Sequence, residues 1–395
     1  MVCNRKLFSQ GFPTVCAAII ATAAAVAVAG QGPRAQIDVR VGVAPTPFSG
    51  SDGQIHLAYE LIVTGLSGSS AARLERVEVF SERDAAPLLT YASADLDERV
   101  MRPEADPKSR YGRLVPKDTT ALVHVWITLA KDHAVPRTLR HSFAISAEDG
   151  SAVAAGEARV EVRPATPLVV GSPFRAGAWL AHNGPGQHRS AHWGSVLVDE
   201  RGARLPQRYA IDFIGVDDNG RAVRGDFRKS ANKDWIGFGQ EIVASSDGVV
   251  YATRDGLPDN QPLAELPRPA SPSAADTHGN YVIIEVNDRL FVHYAHLQRD
   301  SVAVKTGQAV RRGQIIGRLG NSGNTNGAHL HFNITDAPSP DAAEGLPFVF
   351  DNLESLGRTT AGMALGADPS PGNAQSSPSK PGKALPLDGT VVRFP

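Results

Sequence analysis

The chain has 395 residues, 42% of them hydrophobic, and 40 Lys and Arg set against 41 Asp and Glu. That near-neutral balance argues against nucleic acid as a partner, because phosphate neutralisation needs a clustered cationic surface. The length predicts two or three domains, each able to bury its own core.

Residues 1–29 carry Arg5 and Lys6, then an apolar run from Thr14 to Ala29 ending in Ala27-Val28-Ala29. This is the layout of a secretory signal peptide cleaved before Gly30. The run is short for a spanning helix, so no stable membrane span is expected once the leader is removed. Both cysteines, Cys3 and Cys16, lie within it, and the apolar stretch continues past Cys16, unlike a lipid-attachment site. The exported chain then holds no cysteine, and its stability must come from core packing, bound metal or both.

Residues 36–164 read as short alternating strands, among them 37–41, 55–63, 121–129 and 158–162, punctuated by Ser-Gly, Asp-Gly and Pro-rich turns. The spacing predicts an immunoglobulin-like β-sandwich. His56, His124, His133 and His141 are scattered through it and read as strand or turn residues. A linker with Pro164, Pro167, Gly171 and Pro173 leads to a second domain, 171–352, which holds the other histidines: His182, His188, His192, His278, His293, His296, His329 and His331. Strands are expected at 209–216, 241–244, 248–252, 280–286, 290–295 and 329–334. No long helical period occurs, so this domain is all-β as well. The stretch 256–276 is a long insertion that either shapes access to a site or is simply solvated. Residues 367–395, rich in Pro, Ser, Gly and Ala, predict a mostly disordered tail.

The segment Asn321-Ser322-Gly323-Asn324-Thr325-Asn326-Gly327-Ala328-His329-Leu330-His331-Phe332 runs a Gly-rich turn into two histidines one residue apart. On a strand, the period of two points both imidazoles to one face, where they can converge on a zinc ion or on the group it activates.

Ala210-Ile211-Asp212, Ala244-Ser245-Ser246-Asp247-Gly248, Gly279-Asn280-Tyr281-Val282, Tyr294-Ala295-His296-Leu297, the turn from Val304 to Gly317 and the block from Gly320 to Ile334 resemble, in the same order, the blocks of the lysostaphin-type zinc metallopeptidases, also called the LytM or peptidoglycan DD-endopeptidase family. The resemblance spans 208–334. It implies an antiparallel sheet with a small barrel-sandwich subdomain, zinc as cofactor, and a peptide or peptidoglycan substrate met in a secreted or periplasmic location of the bacterial envelope. Asp212 and His331 match two of the family's three metal ligands; His296 and His329 match the two other histidines that orient or deprotonate water and steady the oxyanion. A lipoyl- or biotin-carrier reading of the 304–317 turn is set aside, because Lys305 lies at the turn entry and not at a hairpin tip.

The sequence departs from the family pattern at Arg208, which stands where the first His ligand is expected, four residues before Asp212. A guanidinium stays protonated and has no lone pair to donate to a metal. Either a histidine from 182–193 supplies the third ligand, with His192 favoured over His188, or Arg208 sits in the cleft and pairs with Asp212 in place of metal. Asn280 is expected to hold the cleft backbone. Two functions follow: a secreted zinc endopeptidase acting on peptidoglycan, or a metal-free relative that binds cell-wall or protein ligands in the same cleft.

Overall fold

The computed structural model describes residues 37–65, 71–153, 157–199, 202–265, 274–287, 289–339, 342–367 and 380–395. The proposed leader, residues 1–29, lies outside them.

In the N-terminal region two antiparallel sheets face one another. One is ordered Ile37–Val41, Ile55–Gly65, Thr120–Leu129, Val100–Met101; the other is ordered Ala152–Val153, Thr138–Ala147, Ala72–Ser81, Leu89–Ala92. Leu57, Tyr59, Leu61, Val123 and Val125 from the first sheet share one core with Leu74, Val77, Val79 and Phe143 from the second. The even-numbered neighbours Ala58, Glu60, His124 and Trp126 lie on the opposite face, since Ala58 pairs with Trp126 and Glu60 with His124. That face is covered too: Phe48 and Ala58 join the core of the C-terminal region. Burial on both faces explains why 55–63 reads as a nearly unbroken apolar run.

The C-terminal region is built on one large sheet. Its order is Leu168–Val170, Phe348–Arg358, Thr390–Arg393, Ala178–His182, Ile211–Val216, Leu330–Thr335, Leu290–Leu297, Asn280–Val286, Gly248–Arg254, Ala309–Val310. Only Leu168–Val170 with Phe348–Arg358 runs parallel among these pairs. Glu241–Val243 pairs separately with Ile315–Arg318.

The tail expectation is corrected at its end. Gly382–Ala384 pairs with Phe348–Arg358, and Thr390–Arg393 lies between that strand and Ala178–His182. Val391, Val392 and Phe394 are buried there, and burial of that apolar patch outweighs the loop-like composition before it. The 256–276 insertion also carries structure. It runs into a short helix, Ala274–His278, and its first half is tied to the Gly-rich turn: Asp259 accepts from the Asn321 amide at 2.7 Å, and the Leu263 amide donates to Asn326 at 2.8 Å.

Candidate metal centre

Three neighbouring strands place the central residues. Register pairs His182 with Asp212 and Asp212 with His331, so these three side chains share a face of the sheet, and His329 precedes His331 by one strand period. The Asp212 carboxylate is buried, and three imidazole nitrogens surround its Oδ1: His331 Nδ1 at 3.0 Å, His192 Nε2 at 3.3 Å and His329 Nε2 at 3.3 Å. Its other oxygen, Oδ2, accepts from Asn183 Nδ2 at 2.8 Å.

Hydrogen bonds fix the tautomers of the ring nitrogens. His192 Nδ1 lies 2.9 Å from the Asn183 carbonyl and 3.3 Å from that of Ala210. A carbonyl only accepts, so Nδ1 carries a proton and Nε2 is the nitrogen that faces Asp212. His329 Nδ1 likewise donates to the Gly327 carbonyl at 2.8 Å. His296 Nδ1 donates to the Ser322 carbonyl at 2.8 Å, which leaves His296 Nε2 as an acceptor. Two acceptors, a carboxylate oxygen and a neutral imidazole nitrogen, therefore face each other across 3.3 Å. A metal ion between them, or a proton on the imidazole, reconciles that arrangement.

The ligand atoms offered by His192, Asp212 and His331 lie within 4.8 Å of one another. Two imidazoles and one carboxylate suit zinc, and a fourth coordination position would open into the cavity. The residues present fit that ion.

His296 reaches the site through an irregularity. Asn280 pairs with Leu297 and Val282 with Tyr294, so Ala295 and His296 together oppose Tyr281 alone, and His296 adopts φ 62°. This bulge breaks the alternation and re-aims the imidazole. The Ser322 carbonyl that holds it is positioned by two glycines packed backbone to backbone. A Cβ on Gly279, at φ 66°, would lie 2.4 Å from Ser322, and one on Gly323, at φ 83°, would lie 2.4 Å from the Gly279 nitrogen.

The electrostatics of the pocket separate the four ionisable groups. Burial opposes ionisation of Asp212, but the imidazoles of His192 and His329 outweigh it and hold the carboxyl well below its usual range. Burial pushes His331 down to about 4. Burial, reinforced by His329 and His331, holds His296 well below the ordinary imidazole value. For His329, burial is outweighed by Asp212, and its pKa is raised.

These groups open into a cavity of about 430 Å³ lined by residues between His182 and Leu365. Trp235, Ile214, Leu263 and Leu365 form its apolar walls; His182, His278 and Asn324 add polar edges. The insertion thus contributes Leu263 to the lining, and the helix at its end contributes Thr277 and His278.

Of the residues singled out from sequence, Asp212, His331, His192, His296 and His329 come together here. Arg208 does not line this cavity. Its guanidinium is enclosed by Glu60 and Glu344: Nε donates to Glu60 Oε1 at 3.0 Å, Nη2 pairs with Glu60 Oε2 and Nη1 with Glu344 Oε1. Two buried carboxylates from distant parts of the chain compete for that charge, so pairing with Asp212 is not its role. Asn280 also stays outside the lining, bracing backbone through Leu257 and Leu297. Sequence reasoning ranked His182 behind His192 and His188 and missed Asn183 and His278 as site residues. The His182-Asn183-Gly184 turn was the one signal for Asn183, and His278 gave none beyond its position beside Gly279.

Residues 234–341 match the model described as Peptidase family M23. Peptidoglycan DD-endopeptidase ShyA of Vibrio cholerae is 38% identical over 153 residues, covering 36% of this chain and 31% of that protein. Peptidoglycan DD-endopeptidase ShyC of the same organism is 34% identical over 131 residues, 32% of this chain and 25% of that protein. The chain thus spans about a third or less of the length of these relatives. Among solved structures, the catalytic domain of the antimicrobial peptidase lysostaphin from Staphylococcus simulans aligns with 43% of this chain and 88% of its own, at 20% identity and a TM-score of 0.23. His296, His329 and His331 lie within the stretch that matches Peptidase family M23, and His192 and Asp212 lie ahead of it.

Proposed function

We propose that this protein is a zinc-dependent endopeptidase of the bacterial cell envelope that hydrolyses peptide bonds in peptidoglycan. The observation that carries the reading is the convergence of His192, Asp212 and His331 on one point beside the free Nε2 of His296. The peptidoglycan DD-endopeptidase relatives support the substrate class. The leader-like segment 1–29 supports export, and among the described residues no helix is long and apolar enough to cross a membrane. The immunoglobulin-like reading of the N-terminal sandwich is likewise a proposal, supported by its two antiparallel sheets over one core.

Zinc held by His192 Nε2, Asp212 Oδ1 and His331 would supply a Lewis acid and lower the pKa of water in the cavity. The chain's own residues do the rest. Asn183 holds Asp212 Oδ2 and so turns Oδ1 toward the three imidazoles. His296, neutral and with its Nδ1–H committed to Ser322, accepts the proton of the attacking water at Nε2. His329, kept more basic by Asp212, holds a proton at Nε2 for the oxygen that gains charge and then for the departing amine. The two rings lie 4.7 Å apart between centroids, close enough to serve one scissile bond.

The competing reading, a metal-free binding cleft, drew its support from Arg208 facing Asp212; Arg208 is engaged by Glu60 and Glu344. The test is elemental analysis of protein purified without chelator, together with mass spectrometry of cross-linked peptidoglycan fragments after incubation. Near-stoichiometric zinc that disappears in His192→Ala, with peptide-bond cleavage in wild type alone, is expected. Wild-type protein that binds no zinc from buffer and leaves the cross-links intact overturns the proposal.

A further inference from the structure

The residue that completes the metal centre sits on the segment joining Ala178–His182 to Ile211–Val216, and that segment is wedged against the N-terminal sandwich. Trp193, the neighbour of His192, is 1% exposed. Its indole Nε1 donates to the Arg208 carbonyl at 2.8 Å, and its ring meets His124 at 5.0 Å and Trp126 at 6.1 Å. His124 and Trp126 belong to the sandwich strand Thr120–Leu129, on the face turned away from the sandwich core. From that same face Glu60 grips the Arg208 side chain while Trp193 grips its carbonyl. Further along, the Tyr111 hydroxyl of the sandwich donates to the His188 carbonyl at 3.4 Å. Meanwhile the His192 ring is held from behind by the carbonyls of Asn183 and Ala210.

We infer that the N-terminal sandwich is a working half of the metal centre: by clamping Trp193 between Trp126, His124 and the Arg208 backbone, it sets the position of the ligand His192. The inference rests on the metal site proposed above. The sandwich thus acts in construction of the site, and Trp193 is a positioning residue that works through His192. A β-turn or short loop alone would leave His192 free to sample many rotamers, whereas a buried indole one residue away fixes the local backbone and removes that entropy before metal arrives.

A double-mutant cycle on the full chain tests it, reading the zinc dissociation constant by chelator competition and the visible absorption of the cobalt-substituted protein. Trp193→Ala is expected to weaken zinc binding by about 10–100-fold, the range seen when groups that orient ligands are lost, and to shift the cobalt bands toward those of His192→Ala. In the His192→Ala background, Trp193→Ala should cost nothing further, because its effect passes through that imidazole. Trp126→Leu, in the other domain, provides a second arm of the same cycle should Trp193→Ala fail to fold, with the same non-additive result expected. Additive effects in the cycle, or unchanged affinity in Trp193→Ala or Trp126→Leu while His192→Ala weakens it, overturn the clamp and leave the ligand assignment standing. Unchanged zinc affinity in His192→Ala itself overturns the ligand assignment, and the clamp with it.

Discussion

Arg208→Met isolates the buried ion cluster between the domains. Arg208, Glu60 and Glu344 are 3%, 4% and 5% exposed, so the substitution strands two carboxylates away from water. Removing one partner of such a cluster costs about 3–5 kcal/mol. The wild-type Glu60 carboxyl gives a similar figure. Burial would raise it, but Arg208 and His124 lower it from 4.5 to about 2. At about 1.4 kcal/mol per pKa unit, that corresponds to about 3 kcal/mol of folding stability. Because the folded-state pKa is depressed, this contribution is present above pH 4.5 and is lost as pH falls from 4.5 toward 2. Glu344 works in the opposite sense: burial raises its pKa, with Arg208 only partly offsetting, so its term weakens the fold as pH rises past its ordinary range. Without Arg208 both carboxyls rise and take up protons in mild acid, so the penalty should be smaller at pH 5 than at pH 7. Urea unfolding followed by tryptophan fluorescence at both pH values measures it. With a slope of about 3 kcal/mol per molar urea, the midpoint at pH 7 should fall by about 1 M. A loss under about 1 kcal/mol at pH 7, or one that does not shrink at pH 5, refutes the buried cluster.

His296→Gln should retain zinc while turnover of a cross-linked peptide falls by about 10²–10⁴, as expected for loss of a general base; paired metal analysis and rate measurement check it. Asn183→Gly keeps the positive-φ backbone at this position (φ 51°) and removes only the bond to Asp212 Oδ2, so zinc affinity should drop by about tenfold in chelator competition. Gly279→Ala places a methyl 2.4 Å from Ser322 in a left-handed conformation, and thermal denaturation should show a loss of about 2 kcal/mol or more, with activity reduced beyond the loss of folded protein as His296 loses its Ser322 anchor.

Much of this was legible in the residues. The strands named from alternation lie within two residues of their observed ends, because each buries at least one face of a sheet against a core, whereas the long strands Ala72–Ser81, Thr138–Ala147 and Phe348–Arg358 were not named. The His329-Leu330-His331 spacing placed two imidazoles on one face for the same reason, and the inability of arginine to ligate pointed to the 182–193 segment. What Arg208 does instead was not legible. Its partners Glu60 and Glu344 lie 148 and 136 positions away, and nothing local marks either carboxylate as buried. The aim of His296 depends on a bulge, which a period-two reading cannot anticipate. Asn280 was expected to hold the cleft backbone, and its amide bonds the backbone of Leu257 and Leu297, outside the cavity lining. The strand Thr390–Arg393 was hidden behind a composition that argues for disorder, since four residues carry too little periodicity to outweigh the Pro- and Ser-rich stretch before them.

The ring of nitrogens around Asp212 Oδ1 has one more consequence. With the Nδ1–H groups of His192 and His329 committed to backbone carbonyls, the nitrogens left to neutralise the carboxylate are the same ones that would accept protons. Uptake of the proposed metal and acid titration would then compete for shared lone pairs: an entering ion would displace protons, and an acidic medium would weaken its hold. The pH of the surroundings would thereby set how much of the population is armed.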